Sequence, residues 1–257
     1  MKLFLIRHAE SANNRIFNDM DYEKYLEQRA ADPPITELGQ QQAQQLAHYL
    51  ERNDPPEQRL LRMTLGDGQE KPLSGYAFTK LYCSPMLRTL QTTWPISQAL
   101  GMAPEIWTDI FEFGGLFHGI SEGNIVSHPG LTREEITEKF PGYQLPATVT
   151  EQGWWTDGQE DETAAYARAM RVAKQILAWS EQDDYEDERI AMVIHGTFMS
   201  YLIKNLFDLN AGVDSGKTAF YHHFNTAVTR IDFLPDGQLM LRYLNRARHL
   251  ESSMASV

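Results

Sequence analysis

Short apolar runs alternate with longer periodic stretches along this chain. Leu3-Phe4-Leu5-Ile6 is too short for a helix core and predicts a buried strand. Ile190-Ala191-Met192-Val193-Ile194 is a continuous apolar run of the kind buried on both faces of a parallel sheet. Phe78–Cys83 and Glu105–Trp107 predict two further strands, and Ala219–Phe224, Ala227–Phe233 and Gln238–Leu244 predict a closing set. Pro235-Asp236-Gly237 places a hairpin turn between the last two. Between the runs, Leu38, Ala43, Leu46, Ala47 and Leu50 fall near a helical period behind Thr36, a natural N-cap. A second helix is expected from about Met86, with Ser84 as its cap, Pro85 in its first turn and a kink at Pro95. A short helix near 131–140, an amphipathic one over Glu160–Glu181 and another over Phe198–Phe207 complete the set. The polar stretch Ser11–Pro34 predicts a loop with a short helix. Strands alternating with helices along the whole length predict an α/β fold with one mostly parallel sheet covered on both faces.

Composition narrows the partners. The 257 residues carry a formal net charge of -12 with no Lys/Arg block, which argues against nucleic acid or an anionic membrane as partner. A small anionic substrate stays open, because a local cluster can be basic inside an acidic protein. Cys83 is the single cysteine, so there is neither an intramolecular disulfide nor a Cys-rich metal site. Lys2 is followed by four apolar residues before Arg7, which is not a secretory signal, and no apolar run suffices to cross a bilayer. The expected location is cytoplasmic. The expected organisation is a single domain over residues 1–250, with excursions at about 53–77 and 113–159 and a frayed tail at 251–257.

Three strands end in chemistry-bearing residues: Arg7-His8, Cys83-Ser84 with Arg88 close behind, and His195-Gly196. In an α/β sheet, the carboxyl ends of parallel strands gather around ligands. Guanidinium groups clamp phosphate oxygens bidentately, and a neutral imidazole can attack phosphorus. Arg7, Arg88 and a charged His195 would meet the charge on the equatorial oxygens, and Glu112 could give the departing alkoxide its proton. Such a site needs no metal, because its cations are side chains. A histidine after a buried strand can equally be a satisfied core group, and Arg7 and Arg88 can be ion-pair partners.

Taken together, these blocks resemble the histidine phosphatase superfamily, in its phosphoglycerate mutase-like branch. Arg7-His8-Ala9-Glu10-Ser11, with Asn14 after it, resembles the family's Arg-His-Gly-Glu-Ser signature and following Asn. Thr36-Glu37-Leu38-Gly39 with Gln42-Ala43, Ser84-Pro85-Met86-Leu87-Arg88-Thr89, His195-Gly196-Thr197 and Asn225-Thr226-Ala227-Val228-Thr229 resemble its later blocks. The resemblance implies a three-layer α/β/α sandwich around a mostly parallel six-stranded sheet. It implies His8 as the phosphorylated nucleophile, with Arg7, Arg88 and His195 as the phosphate pocket. Asn14 and the Thr197 N–H would be further phosphate ligands, Ser11 would assist or bind substrate, and Glu112 would be the proton donor. Ala9 stands where the family usually has Gly.

A mutase must also hold a doubly phosphorylated intermediate, which calls for extra cations over the pocket. Residues 113–159 offer only Arg133, Lys139 and two histidines beside many acids. The reading is therefore net hydrolysis of a small phosphorylated metabolite through a phosphohistidine, without a cofactor. Phosphoglycerate mutase-type transfer and a catalytically weak phosphoester-binding scaffold are the alternatives. Arg15 and Arg29 could reach the pocket, and the aromatic residues of the excursion (Phe117, Trp154, Trp155) would suit an apolar or planar organic portion. Oligomeric state is not legible.

Overall fold

The computed structural model describes residues 1–19, 22–52, 76–118, 125–207 and 220–257. The expected excursion at about 53–77 therefore lies almost wholly outside the described residues. In chain order the elements are β1 (Lys2–Arg7), α1 (Ala12–Asp19), α2 (Tyr22–Gln28), α3 (Glu37–Glu51), β2 (Lys80–Cys83), α4 (Leu87–Leu100), β3 (Glu105–Ile106) and a small hairpin of β4 (Phe117–His118) and β5 (Val126–Ser127). They continue with α5 (Arg133–Lys139), α6 (Glu162–Ser180), β6 (Arg189–Ile194), α7 (Gly196–Phe207), β7 (Val228–Phe233) and β8 (Leu239–Arg246).

Six strands form one sheet in the order β3-β2-β6-β1-β7-β8. Strands β3, β2, β6 and β1 run parallel to one another, and only β7 runs against the rest. The alternation of side chains along each strand divides the core in two. Leu3, Leu5, Met192 and Ile194 point to the face covered by α6 and α7, where they meet Val172, Ile176, Phe198 and Leu202. Phe4, Ile6, Leu81 and Val193 point to the face covered by α3 and α4, against Leu46, Leu50, Leu90 and Ile96. Each fully buried side chain of this size contributes roughly 1.5–3 kcal/mol, so the central strands anchor the molecule. The result is the expected three-layer α/β/α arrangement.

Local signals explain most boundaries. Thr36 Oγ1 accepts the Gly39 N–H at 3.0 Å and caps α3, and Asp161 caps α6 through the Ala164 N–H at 2.8 Å. Thr132 and Glu135 form a reciprocal capping box on α5. Three expectations are corrected. Ser84 does not cap α4: that helix starts at Leu87 behind Met86, with no side-chain cap, and Ser84 is engaged elsewhere. Residues 220–224 form no strand, because their polar groups are spent on the β1 turn and on β8 rather than on a ladder. The tail is not frayed. Ser256 donates to Asn225 Oδ1 at 3.0 Å, and Gln42 Nε2 donates to Met254 O and Ser256 Oγ, each at 2.8 Å.

Candidate active site

Strand register brings the candidate residues together. Arg7 on β1 sits opposite Ile194 on β6, and Val193 sits opposite Cys83 on β2. The next residue of each strand is therefore His8, His195 or Ser84, and all three emerge at one rim. The His8 N–H donates to Ile194 O at 2.9 Å and the Ser84 N–H to Val193 O at 3.1 Å, extending the parallel pairing one residue past the sheet. The two imidazoles lie 5.2 Å apart between centroids, inclined by 56°.

Hydrogen bonds fix the state of His8. Its Nδ1 lies 2.7 Å from Ala9 O, which requires a proton on Nδ1, and its Nε2 accepts the Nε–H of Arg88 at 3.2 Å. This tautomer leaves the Nε2 lone pair directed toward Arg88. Burial, then Arg88 and Arg7, hold the His8 pKa well below the ordinary 6.5, so the ring is neutral at neutral pH. Ala9 meets no strain, since its φ is not positive.

His195 is fully buried, with Nε2 2.8 Å from Ser84 Oγ and no hydrogen-bond partner for Nδ1. Burial, followed by Arg88 and His8, holds the His195 pKa well below the ordinary value. Arg7 donates Nη1 to His223 O, while its Nε is buried without a partner. Burial lowers the Arg7 pKa to about 10, which still leaves the guanidinium charged at neutral pH. A Cβ on Gly196 would approach Arg7 Nε to 3.3 Å, so a residue without a side chain lets this guanidinium lie flat against the start of α7.

Glu112 projects from the turn after β3 onto the N-terminus of α7. Its carboxylate accepts the N–H groups of Thr197 at 3.2 Å, Phe198 at 2.9 Å and Phe113 at 2.8 Å. Gly114, at φ 90°, supplies the left-handed step that closes this turn. The Thr197 N–H, expected to face phosphate, is thus engaged by Glu112. Ser11 caps α1: its Oγ accepts the Asn14 N–H at 3.3 Å and donates to Asn14 Oδ1 at 2.9 Å.

Arg7, His8, Ser11, Asn14, Arg88, Glu112 and Thr197 all line one cavity of about 340 Å³, and His195 sits behind it, fully buried. Arg29 lines it too, but Arg15 faces a different groove beside Glu10 and Glu37. Arg133 is spent on the carbonyls of Pro146 and Val149, and Lys139 is exposed on α5. Neither of these two lines the cavity. Trp155 packs with Met86, Phe111 and Leu116 rather than facing the cavity, so the excursion's aromatics are mainly core. Among the described residues there is no cluster of three or more His, Cys, Asp or Glu that could hold a metal ion, and no helix long and apolar enough to cross a membrane.

Some contributors escape sequence reasoning. Ser84 reads as a helix cap, yet it holds His195. Asn225 lies in a recognisable block with no role attached, yet its Nδ2 donates to His8 O at 3.0 Å. Thr226, at φ 59°, donates its N–H to the carbonyls of Arg7 at 3.1 Å and His8 at 3.3 Å. Asp32, whose Coulombic pull partly offsets the burial of Arg88, carries no sequence signal at all.

Known proteins place this arrangement. The chain matches the model of the histidine phosphatase superfamily (branch 1) over residues 3–58 and 69–246. No curated protein sequence matches it significantly. Among solved structures it is similar to a mycobacterial glucosyl-3-phosphoglycerate phosphatase complexed with VO3, at 16% identity and TM-score 0.54, covering 95% of this chain and 98% of that one. It is also similar to the H9A mutant of Entamoeba histolytica phosphoserine phosphatase with phosphoserine, at 19% identity and TM-score 0.53, covering 97% and 99%. A third is the ecdysone phosphate phosphatase of Bombix mori with tungstate, at 13% identity and TM-score 0.57, covering 93% and 91%. At these identities the structures speak for the fold. With a family model spanning most of its length and the two strand-end histidines side by side, the chain belongs to the histidine phosphatase superfamily.

Proposed function

We propose that this protein is a phosphomonoester hydrolase, of the phosphoglycerate mutase-like branch, that acts on a small phosphorylated metabolite through a phosphohistidine on His8. The observation that carries the reading is the protonation geometry of that ring. Nδ1–H is committed to Ala9 O, so the lone pair resides on Nε2, facing Arg88 inside a cavity that Arg7 also lines. The Arg7 Nε–H is buried without a protein partner, and an orphaned donor beside a nucleophile suits an anion.

In the first step Nε2 of His8 forms a bond to phosphorus as the P–O ester bond breaks. Arg7 and Arg88 stabilise the charge on the equatorial oxygens, and the negative charge of the bound phosphate favours protonation of His195. Asn14 and Ser11 border the same anion. Glu112 gives its proton to the departing oxygen, then takes one from the water that attacks the phosphohistidine, returning His8 and releasing phosphate. Its carboxylate is held on the amides of Phe113, Thr197 and Phe198, at the edge of the cavity. The guanidinium groups do the work a metal would otherwise do. Hydrolysis is preferred to mutase transfer because Arg133 and Lys139 lie away from the cavity, which leaves Arg29 as the one lining Lys or Arg beyond Arg7 and Arg88 among the described residues.

The test is phosphate release and covalent labelling across a panel of phosphomonoesters, run in excess chelator. Wild-type protein should turn over, form an acid-labile, base-stable phosphoprotein and ignore the chelator. His8→Ala should lose both signals by at least about a thousandfold while keeping its fold. Full activity in that variant removes the nucleophile assignment.

A further inference from the structure

The cationic end of the cavity is continuous with a second end built from rings. Phe17 on α1 and Tyr25 on α2 meet edge to face with centroids 5.2 Å apart, and both line the cavity. Phe113 adds a third ring from the Glu112–Gly115 turn. Phe17 is 54% exposed and Phe113 37% exposed, so apolar ring surface is held in water at the mouth of a charged pocket. Arg29 ties the two walls together: it stacks on the Phe117 ring at 4.2 Å and donates Nη1 to Phe117 O at 3.2 Å. Tyr25 and Arg29 also lie close enough to Arg88 to act on it electrostatically, which puts this wall within reach of a group esterified to the phosphate. The cavity of about 340 Å³ has room for a phosphate bearing one ring.

Resting on the phosphatase reading above, we propose that Phe17, Tyr25 and Phe113 form the leaving-group subsite, and that the substrate class is a phosphomonoester whose alcohol carries one flat, unsaturated ring next to the ester. Neither the excursion tryptophans nor a second anion site takes part. The ring's face and edge meet the protein rings, while the phosphate reaches His8.

Two matched pairs test this. Benzylphosphonate and cyclohexylmethylphosphonate share a carbon count and cannot be hydrolysed; benzyl phosphate and cyclohexylmethyl phosphate have alcohols of similar leaving ability. Calorimetric binding of the phosphonates should favour the flat ring by roughly three- to tenfold, and kcat/KM for the esters should follow it. In Phe17→Ala, an exposed position whose truncation does not threaten the core, the preference should fall to about twofold or less, while Phe17→Tyr should retain it. Equal binding of the two phosphonates by wild type, or a preference unchanged in both Phe17→Ala and Phe113→Ala, overturns the subsite. Phosphate release from both esters at equal kcat/KM overturns the subsite and leaves the phosphatase reading standing. A flat-ring preference in binding with no phosphate released from any ester does the reverse.

Discussion

Replacing Asp32 by Asn should make the protein more stable and a poorer catalyst. Asp32 Oδ1 accepts the Leu87 N–H at 3.0 Å at the start of α4, and its Oδ2 is buried without a partner. Burial raises its pKa from the ordinary 3.8 to about 6, against the opposing pull of Arg88 and of the Leu87 bond. Between those two values the folded chain holds a proton that the unfolded chain has released, so stability falls as pH rises through that window. The difference between 3.8 and about 6, at about 1.4 kcal/mol per pH unit, comes to roughly 3 kcal/mol above pH 6. Asn keeps the acceptor for Leu87 and cannot ionise. At pH 7.5 the variant should therefore gain up to about 3 kcal/mol, or roughly 6–12 °C in Tm at the 2–4 °C per kcal/mol typical of this chain length. At pH 4.5 the gain should shrink to about a third. The cost is paid at the site: Asp32 offsets the burial of Arg88, which donates to His8 Nε2, so kcat/KM should drop about tenfold. Melting curves by circular dichroism at both pH values, beside initial rates, decide the matter. A gain of equal size at both pH values, or a loss at pH 7.5, would refute the reasoning.

Two further outcomes follow from the site. Glu112→Gln should slow esters of poorly leaving alkyl alcohols by about 10²–10⁴ and esters of good leaving groups far less; equal losses on both would argue against a proton-transfer role. Ser256→Ala removes the hydroxyl that bridges Gln42 and Asn225, and should cost about 1–2 kcal/mol, seen as a Tm lowered by several degrees, with a modest fall in kcat through the Asn225–His8 contact. An unchanged Tm would mean that the C-terminal segment does not brace the turn.

The parts legible in the sequence are those governed by short-range pattern. Continuous apolar runs marked β1 and β6, and period-3.6 spacing marked α3 and α6, because burial on two faces or one stripe leaves a direct trace in residue type. His8, His195, Arg7 and Arg88 were readable because each follows a strand whose parallel neighbours converge. Ser84 reads as a cap because a Ser-Pro pair before a helix is a common cap signal, and only the register of β2 against β6 puts its hydroxyl on His195 instead. The rings at the cavity mouth are hidden from the sequence for a similar reason. Trp154 and Trp155 are conspicuous in a long connection, but Trp155 fills the space under Met86 and Leu116, while inconspicuous Phe17 and Tyr25 on two short helices face the cavity. The lowered pKa of His195 is not legible, because desolvation depends on how completely a loop residue is covered, which no local pattern records.

The clasp around Arg7-His8 shows why a site of this kind recruits the far end of the chain. Thr226 is β-branched and sits at φ 59°, a conformation that costs of order 1–3 kcal/mol and persists only where its surroundings over-determine it. Here they do: its N–H reaches the carbonyls of Arg7 and His8, its Oγ1 lies 2.9 Å from His249 Nε2, and its neighbour Asn225 is pinned between His8 O and Ser256. His223 completes the clasp by accepting Arg7 Nη1 on its carbonyl. The backbone of the turn that carries the nucleophile candidate is thus held by residues more than two hundred positions away. Within residues 220–224 the His223 carbonyl serves Arg7 in the same way, while the Tyr221 and Phe224 N–H groups go to Ser200 Oγ and Asn245 Oδ1, so these groups are spent outside a ladder.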